Sequence, residues 1–309
     1  MASLSKKDPL RFDGRTVVIT GAGGGLGRAY SLAFSARGAN VVVNDLASAG
    51  PANADSSNNA ERVVAEIEAQ GGTAVASTDS VQHGDRIIAT AMDCFGRVDV
   101  LVNNAGILRD KSFHNMSDES WHEVLQVHLE GTRKTTQAAW PHMRDAGYGR
   151  VVMTTSSAGI FGNFGQANYA AAKLGVLGLA QTLSIEGANK GIYVNTVAPF
   201  AASGLTSDVF PEAMQAALKP EHIAPLVLWL CHERSAANGK LIEAGAGWYA
   251  ALAWERARGL MLDTNTPIEP EHVETGWDTI TSFSDSDHPT TVLDTVMQLT
   301  RAIEGKKLS

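Results

Sequence analysis

Three residues near the middle of the chain, Ser156, Tyr169 and Lys173, have the types and spacing for proton-transfer chemistry. They belong to the stretch S-S-A-G-I-F-G-N-F-G-Q-A-N-Y-A-A-A-K. If residues from Gly165 onward are helical, a spacing of four puts Tyr169 and Lys173 on one face, about one turn apart. An ammonium group held there depresses the pKa of the phenol. Free tyrosine titrates near 10, so a phenolate useful at neutral pH needs about 4 kcal/mol of preferential stabilisation. A lysine alone does not supply that, and a cationic ring beside it would help, so the electrostatics points to a nicotinamide partner. Ser156 follows the apolar run Val151-Val152-Met153, where a strand edge would present its hydroxyl to a carbonyl oxygen as a polarising donor.

The elements that must position these groups can be read outward from them. Thr16-Val17-Val18-Ile19-Thr20 is a continuous β-branched run, as expected of a strand buried on both faces. Gly21-Ala22-Gly23-Gly24-Gly25-Leu26-Gly27 follows at once, and a helix is expected from there to Arg37. Strand, glycine turn and helix in that order form a dinucleotide cradle, which puts Gly21, Gly25, Leu26 and Gly27 beside a pyrophosphate. A second strand, Asn40 to Val43, ends at Asn44-Asp45. An acid there accepts hydrogen bonds from an adenosine ribose and repels a 2′-phosphate, so Asp45 predicts NAD over NADP.

Ala47 to Asn59 reads as a loop before a helix from Ala60 to Gln70. A third strand, Thr73 to Ser77, leads to Asp79, Ser80 and Val81, placed to border an adenine. A fourth, Val98 to Val102, ends in Asn103-Asn104-Ala105-Gly106, with Asn104 at the cofactor edge. This rhythm of β and α predicts an α/β fold, a doubly wound parallel sheet of Rossmann type, with ligands at the carboxyl ends of the strands.

Composition narrows the partners. The chain has 309 residues, 44% hydrophobic and 19% charged, enough for a substantial core. A formal net charge of −8 with no basic stripe argues against a nucleic-acid partner. No apolar run approaches the roughly 20 residues of a membrane span, and the N-terminus lacks the apolar stretch of a signal peptide. Cys94 and Cys231 read as isolated buried thiols, and the ending Gly305-Lys306-Lys307-Leu308-Ser309 is not a peroxisomal S-K-L. A reducing cytoplasm is the expected location, and no histidine pairing suits a metal.

Together, Thr20-Gly21-x-x-x-Gly25-x-Gly27, Asn103-Asn104-Ala105-Gly106, Ser156 and Tyr169-x-x-x-Lys173 resemble the short-chain dehydrogenase/reductase family. Further segments, among them Val43-Asn44-Asp45-Leu46, Gly106-Ile107-Leu108-Arg109-Asp110 and Gly162-Asn163-Phe164-Gly165-Gln166-Ala167-Asn168-Tyr169, resemble one subgroup. That subgroup is the (3R)-hydroxyacyl-CoA dehydrogenase units of peroxisomal multifunctional enzymes of type 2, also known as 17-beta-hydroxysteroid dehydrogenases. The likeness runs from about Leu10 to Glu255, and no hydratase or sterol-carrier region follows, so a free-standing relative is expected.

The resemblance implies roles at the matching positions. Tyr169 would be the general acid/base, Ser156 would hydrogen-bond the reacting oxygen, and Lys173 would bind the nicotinamide ribose and hold the tyrosine's pKa down. Where the family usually has an asparagine, this chain has His128 in Val127-His128-Leu129-Glu130-Gly131, which would support a water chain to Lys173 through its carbonyl or its ring. After a sixth strand, Tyr193 to Val197, the usual Pro-Gly is replaced by Pro199-Phe200, and either Ser203 or Thr206 would contact the nicotinamide carboxamide. Phe200 to Pro220 is expected to be a mobile substrate flap.

A domain over 10–250 is expected, followed by a helical C-terminal extension over 251–309 with helices near Trp254 to Leu262, Pro270 to Phe283 and Thr290 to Ile303. In the family, helices equivalent to Asp118 to Arg144 and Gly165 to Gly187 form a dimer interface, so a homodimer is implied. Three functions remain open: an NAD-dependent (3R)-hydroxyacyl-CoA dehydrogenase, a 17-beta-hydroxysteroid dehydrogenase sharing its catalytic residues, and an NAD-binding scaffold without turnover.

Overall fold

The fold is built on β-branched runs that bury both faces. In the computed structural model, which describes residues 8–46, 59–201 and 217–307, seven strands form one parallel sheet: β1 Thr16–Thr20, β2 Asn40–Asn44, β3 Thr73–Ser77, β4 Val100–Asn103, β5 Gly149–Thr154, β6 Ile192–Phe200 and β7 Leu241–Gly245. An eighth, β8 Trp248–Leu252, adds at the edge, and the strand order is β3-β2-β1-β4-β5-β6-β7-β8. The order reverses direction between β1 and β4, and a doubly wound sheet opens its ligand crevice at such a point.

Helices cover both faces: α1 Gly25–Ser35, α2 Asn59–Ala69, α3 Gly84–Phe95, α4 Asp118–Leu125, α5 Gly131–Ala146, α6 Ser157–Phe161, α7 Ala167–Ala188 and α8 Ala224–Cys231. A single π turn, Gln126–Glu130, joins α4 to α5 without a break. One core lies between the sheet and α1, α2 and α8, centred on Val17, Ile19, Val41, Phe34 and Val227. The other lies toward α3, α5 and α7, centred on Val18, Leu101, Val151, Val176 and Met143. Alternate residues of one strand thus feed opposite layers, as period two requires.

Strand β8 is absent from the sequence reading. It is reached through Ala246 and Gly247, both at positive φ (50° and 82°), the geometry of a two-residue hairpin turn. The turn is Ala-Gly rather than the usual Asn-Gly, so its signal is weak, and exposed Trp248 and Tyr249 give the strand no inward apolar face.

The chain divides into two compact units, Met1–Ala251 and Leu252–Ser309. In the second unit, α9 Pro270–Ile280 and α10 Val292–Lys307 accompany a small antiparallel pair, β9 Arg256–Ala257 with β10 Ser286–Asp287. The helix expected over Trp254 to Leu262 is therefore not formed. Arg256 is instead drawn into a strand by a forked ion pair with Asp287, at 3.0 and 2.8 Å. Cys231 is buried as expected, but Cys94 is exposed, because it lies on the outer side of α3. Among the described residues, no helix is long and apolar enough to cross a membrane.

Candidate active site

A cavity of about 620 Å³ lies at the carboxyl ends of β1, β2, β4 and β5. Its floor is the glycine turn. Gly21 adopts φ +63°, and a Cβ there would stand 2.7 Å from Ala105 Cα, so the turn lies directly against the end of β4. Gly27 is not on the cavity wall: its missing Cβ would fall 2.2 Å from the Gly21 carbonyl oxygen, and the gap lets α1 start close beneath the loop. Helix α1 begins with no side-chain cap and no acid in its first turn, leaving its N–H groups for an anion.

The loop is held by side chains. Thr20 Oγ1 accepts from the N–H groups of Asn104 (3.0 Å) and Ala105 (3.1 Å), while Asn104 Nδ2 donates to the carbonyls of Thr20 and Gly21, both at 3.0 Å. Asn103 faces the other way and binds Thr135 and Thr136 of α5. Asp45 Oδ2 accepts from Gly23 N–H at 2.7 Å, and burial pushes its carboxyl up against that hydrogen bond. Gly25, Leu26, Asp79, Ser80, Val81 and Pro199 also line the cavity. Ser203 and Thr206, with most of the expected flap, lie outside the described residues. Backbone N–H groups at a helix start, an acid at the second strand end and a long crevice together fit a dinucleotide.

At the other end stand Tyr169 and Lys173, both on the wall and both on α7. The helix begins at Ala167, two residues later than the earliest expected start, yet keeps the pair one turn apart. Lys173 is 4% exposed, and its Nζ donates to the Thr154 carbonyl at 2.7 Å. Thr155 Oγ1 returns a bond to the Lys173 carbonyl at 2.8 Å, clasping the end of β5 to α7. Burial lowers the lysine pKa to about 7. Burial also pushes the Tyr169 phenol up, opposed by a hydrogen bond with Ser156. The lysine therefore does not suffice to make a phenolate.

Ser156 caps α6, its Oγ accepting from Ala158 N–H at 3.2 Å. With a lone pair so engaged, its proton is available to donate. Ser156 is not part of the cavity wall itself; it meets the site through Tyr169. Beside it, Ser157 Oγ donates to Glu243 Oε1 of β7 at 2.6 Å.

His128 sits in the π turn, 3% exposed, and its ring meets Tyr169 edge to face at 5.1 Å. Its Nε2 lies 2.8 Å from the Ile107 carbonyl, to which it donates, and 3.1 Å from the Ile107 N–H. Its Nδ1 has no partner among the described residues. Burial, and then the Lys173 charge, lower its pKa to about 3, so the ring is neutral.

Asn168 is a residue that the sequence reading quotes without a role. Fully buried, it donates to the carbonyls of Arg109 (3.2 Å) and Ser120 (3.1 Å) and accepts from Tyr169 N–H at 2.7 Å. Adjacency to Tyr169 is the one sequence signal that could have singled it out. No groups of three or more His, Cys, Asp or Glu residues suited to a metal occur among the described residues.

The model of the family described as short chain dehydrogenase matches residues 15–207. Peroxisomal multifunctional enzyme type 2 of Mus musculus is 52% identical over 305 residues, 97% of this chain and 42% of that protein. A hydroxyacyl-CoA dehydrogenase of Mycobacterium tuberculosis is 38% identical over 246 residues, 74% of this chain and 76% of that one. The solved full-length peroxisomal multifunctional enzyme type 2 from Drosophila melanogaster superposes with a TM-score of 0.83 at 42% identity, covering 96% of this chain and 50% of that one. The chain spans half or less of the length of these two multifunctional proteins. With its glycine turn, its strand order and a family match over 193 residues, the chain belongs to the short-chain dehydrogenases, oxidoreductases that act on CH–OH groups with a nicotinamide dinucleotide.

Proposed function

We propose that the protein is an NAD-dependent dehydrogenase of (3R)-3-hydroxyacyl-CoA thioesters, forming the 3-oxoacyl-CoA. The observation that carries this reading is the placing of Tyr169 and Lys173 on the wall of the cavity floored by the glycine turn. Asp45 supports NAD over NADP, because its carboxylate occupies the ribose end and would repel a 2′-phosphate. The thioester is supported by the subgroup segments and by the relative named a hydroxyacyl-CoA dehydrogenase. The subgroup's other name keeps 17-beta-hydroxysteroids as a second reading.

Bound NAD supplies the hydride acceptor. Tyr169 Oη takes the alcohol proton in oxidation and returns it in reduction. Ser156 turns its hydroxyl proton toward the reacting oxygen. Lys173 stands behind the phenol and would bind the nicotinamide ribose, and its Thr154 bond fixes its direction. His128 acts as a neutral wedge packed edge to face against the Tyr169 ring.

We read 10–250 as the catalytic domain and 251–309 as an appendage. Assembly as a homodimer is supported by the exposed face of α7, where Leu174 is 43% and Ile185 68% exposed and nothing lies within 4 Å of a Cβ built at Gly178. The location expected from sequence is cytoplasmic, although several relatives are named peroxisomal; imaging the tagged chain against a peroxisomal marker decides.

The test of function is NAD reduction followed with a (3R)-3-hydroxyacyl-CoA and with estradiol side by side. Thioester oxidation orders of magnitude faster supports the reading. Faster estradiol oxidation replaces it with the steroid reading, and NADH binding without turnover of any secondary alcohol makes the chain a scaffold.

A further inference from the structure

The adenosine end of the cavity holds a cation that the sequence reading does not anticipate. Arg62, on the first turns of α2, lines the cavity together with Asp45, 17 positions earlier in the chain. The two side chains bracket one residue: Asp45 Oδ2 accepts from the Gly23 N–H at 2.7 Å, and Arg62 Nη2 donates to the Gly23 carbonyl at 3.4 Å. The second contact is long, and it is the one hydrogen bond that the Arg62 guanidinium makes among the described residues. No carboxylate among the described residues forms an ion pair with Arg62; Glu66, one turn further along α2, pairs with Arg28 instead. Among the described residues, an arginine without an ion-pair partner therefore stands beside the acid that would meet the ribose.

We propose that Arg62 and Asp45 together set the choice between NAD and NADP, with Asp45 the barrier and Arg62 a preformed phosphate ligand that the barrier holds idle. This rests on the reading of the cavity as a dinucleotide site. Arginine binds phosphate through a fork of charge-assisted hydrogen bonds, and α2 presents its N-terminus to the same region. An adjacent carboxylate would oppose a 2′-phosphate at close range. Removing that carboxylate leaves Arg62 free to bind the phosphate without any further change in the protein.

The experiment is calorimetric titration of the full chain with NADH and with adenosine 2′,5′-bisphosphate, which carries the 2′-phosphate and no nicotinamide. Wild type binds NADH and takes the bisphosphate weakly. Asp45→Ser gains affinity for the bisphosphate by about tenfold or more, the size of one charge-assisted phosphate contact. Adding Arg62→Ala removes the gain, and Arg62→Lys keeps part of it. Cooperative melting of every variant shows that each is folded. The proposal is overturned if Asp45→Ser gains nothing, or if the gain survives Arg62→Ala. Wild type that fails to bind NADH overturns the dinucleotide reading, and this inference with it; that outcome is distinct from NADH binding without the Arg62 effect.

Discussion

The ammonium nitrogen of Lys173 lies 5.6 Å from the centre of the Tyr169 ring and is hydrogen-bonded to the Thr154 carbonyl. Lys173 is thus held behind the phenol, and its burial lowers its pKa from 10.5 to about 7. Between those two values the unfolded chain carries a proton that the native lysine has lost. Stability therefore rises with pH across that window, and the full penalty of a buried ammonium is present below pH 7. Lys173→Met removes the dependence: its melting temperature relative to wild type is most favourable at pH 6 and becomes less so toward pH 10. Parallel shifts of both proteins across that range would disprove the linkage.

Tyr169→Phe keeps the ring that packs on His128 and removes the hydroxyl. It should lower kcat by about 10²–10⁴, the usual worth of a positioned acid/base, while NADH affinity changes little. Ser156→Ala removes the hydroxyl proposed to donate to the reacting oxygen and should lower kcat by about 10²–10³. Stopped-flow hydride transfer and NADH fluorescence separate the two effects. An unchanged rate in Tyr169→Phe would remove the tyrosine from the mechanism.

His128 is neutral in the native protein, with its pKa lowered from 6.5 to about 3. As pH falls through that window, the unfolded chain takes up a proton that the native ring refuses, so stability is lost at up to about 1.4 kcal/mol per pH unit. His128→Asn should flatten this part of the profile in urea titrations at pH 3.5 to 7. A variant with the wild-type slope would show that other groups govern acid unfolding.

A Cβ at Gly106 would lie 2.4 Å from His128 Cε1. Gly106→Ala should therefore push the imidazole against Tyr169, costing about 1–3 kcal/mol as overpacking does and lowering kcat more than it raises KM. The double variant Gly106→Ala/His128→Ala relieves the clash, so its stability should exceed the sum of the single effects. Strict additivity in a double-mutant cycle would show that the two residues do not press on each other.

Much of the sheet was legible because its strands are buried on both faces and read as short β-branched runs, such as Val41-Val42-Val43. Asp45 and the glycine turn were legible because strand, turn, helix and acid follow one another directly in the sequence. Arg62 was not, since it reaches the cavity only through the folding of α2 against the sheet, and nothing in its neighbours marks it. The Ser157 to Glu243 contact spans 86 positions, and no local pattern encodes it. The edge strand β8 and the short pair β9 and β10 escaped because two to five residues with no buried side chain among them carry no periodic signal.

The π turn from Gln126 to Glu130 makes helix length quantised at this place. A π turn holds about one residue more than an α turn of the same helix. Deleting one residue between Leu125 and Gly131 would let the turn close as a regular α turn and leave α5 in nearly its present phase. Thr135 would then keep Asn103, whereas His128, inside the turn, would leave its seat against Ile107. The extra residue of the turn therefore serves the placing of His128, and the core packed by α5 does not depend on it.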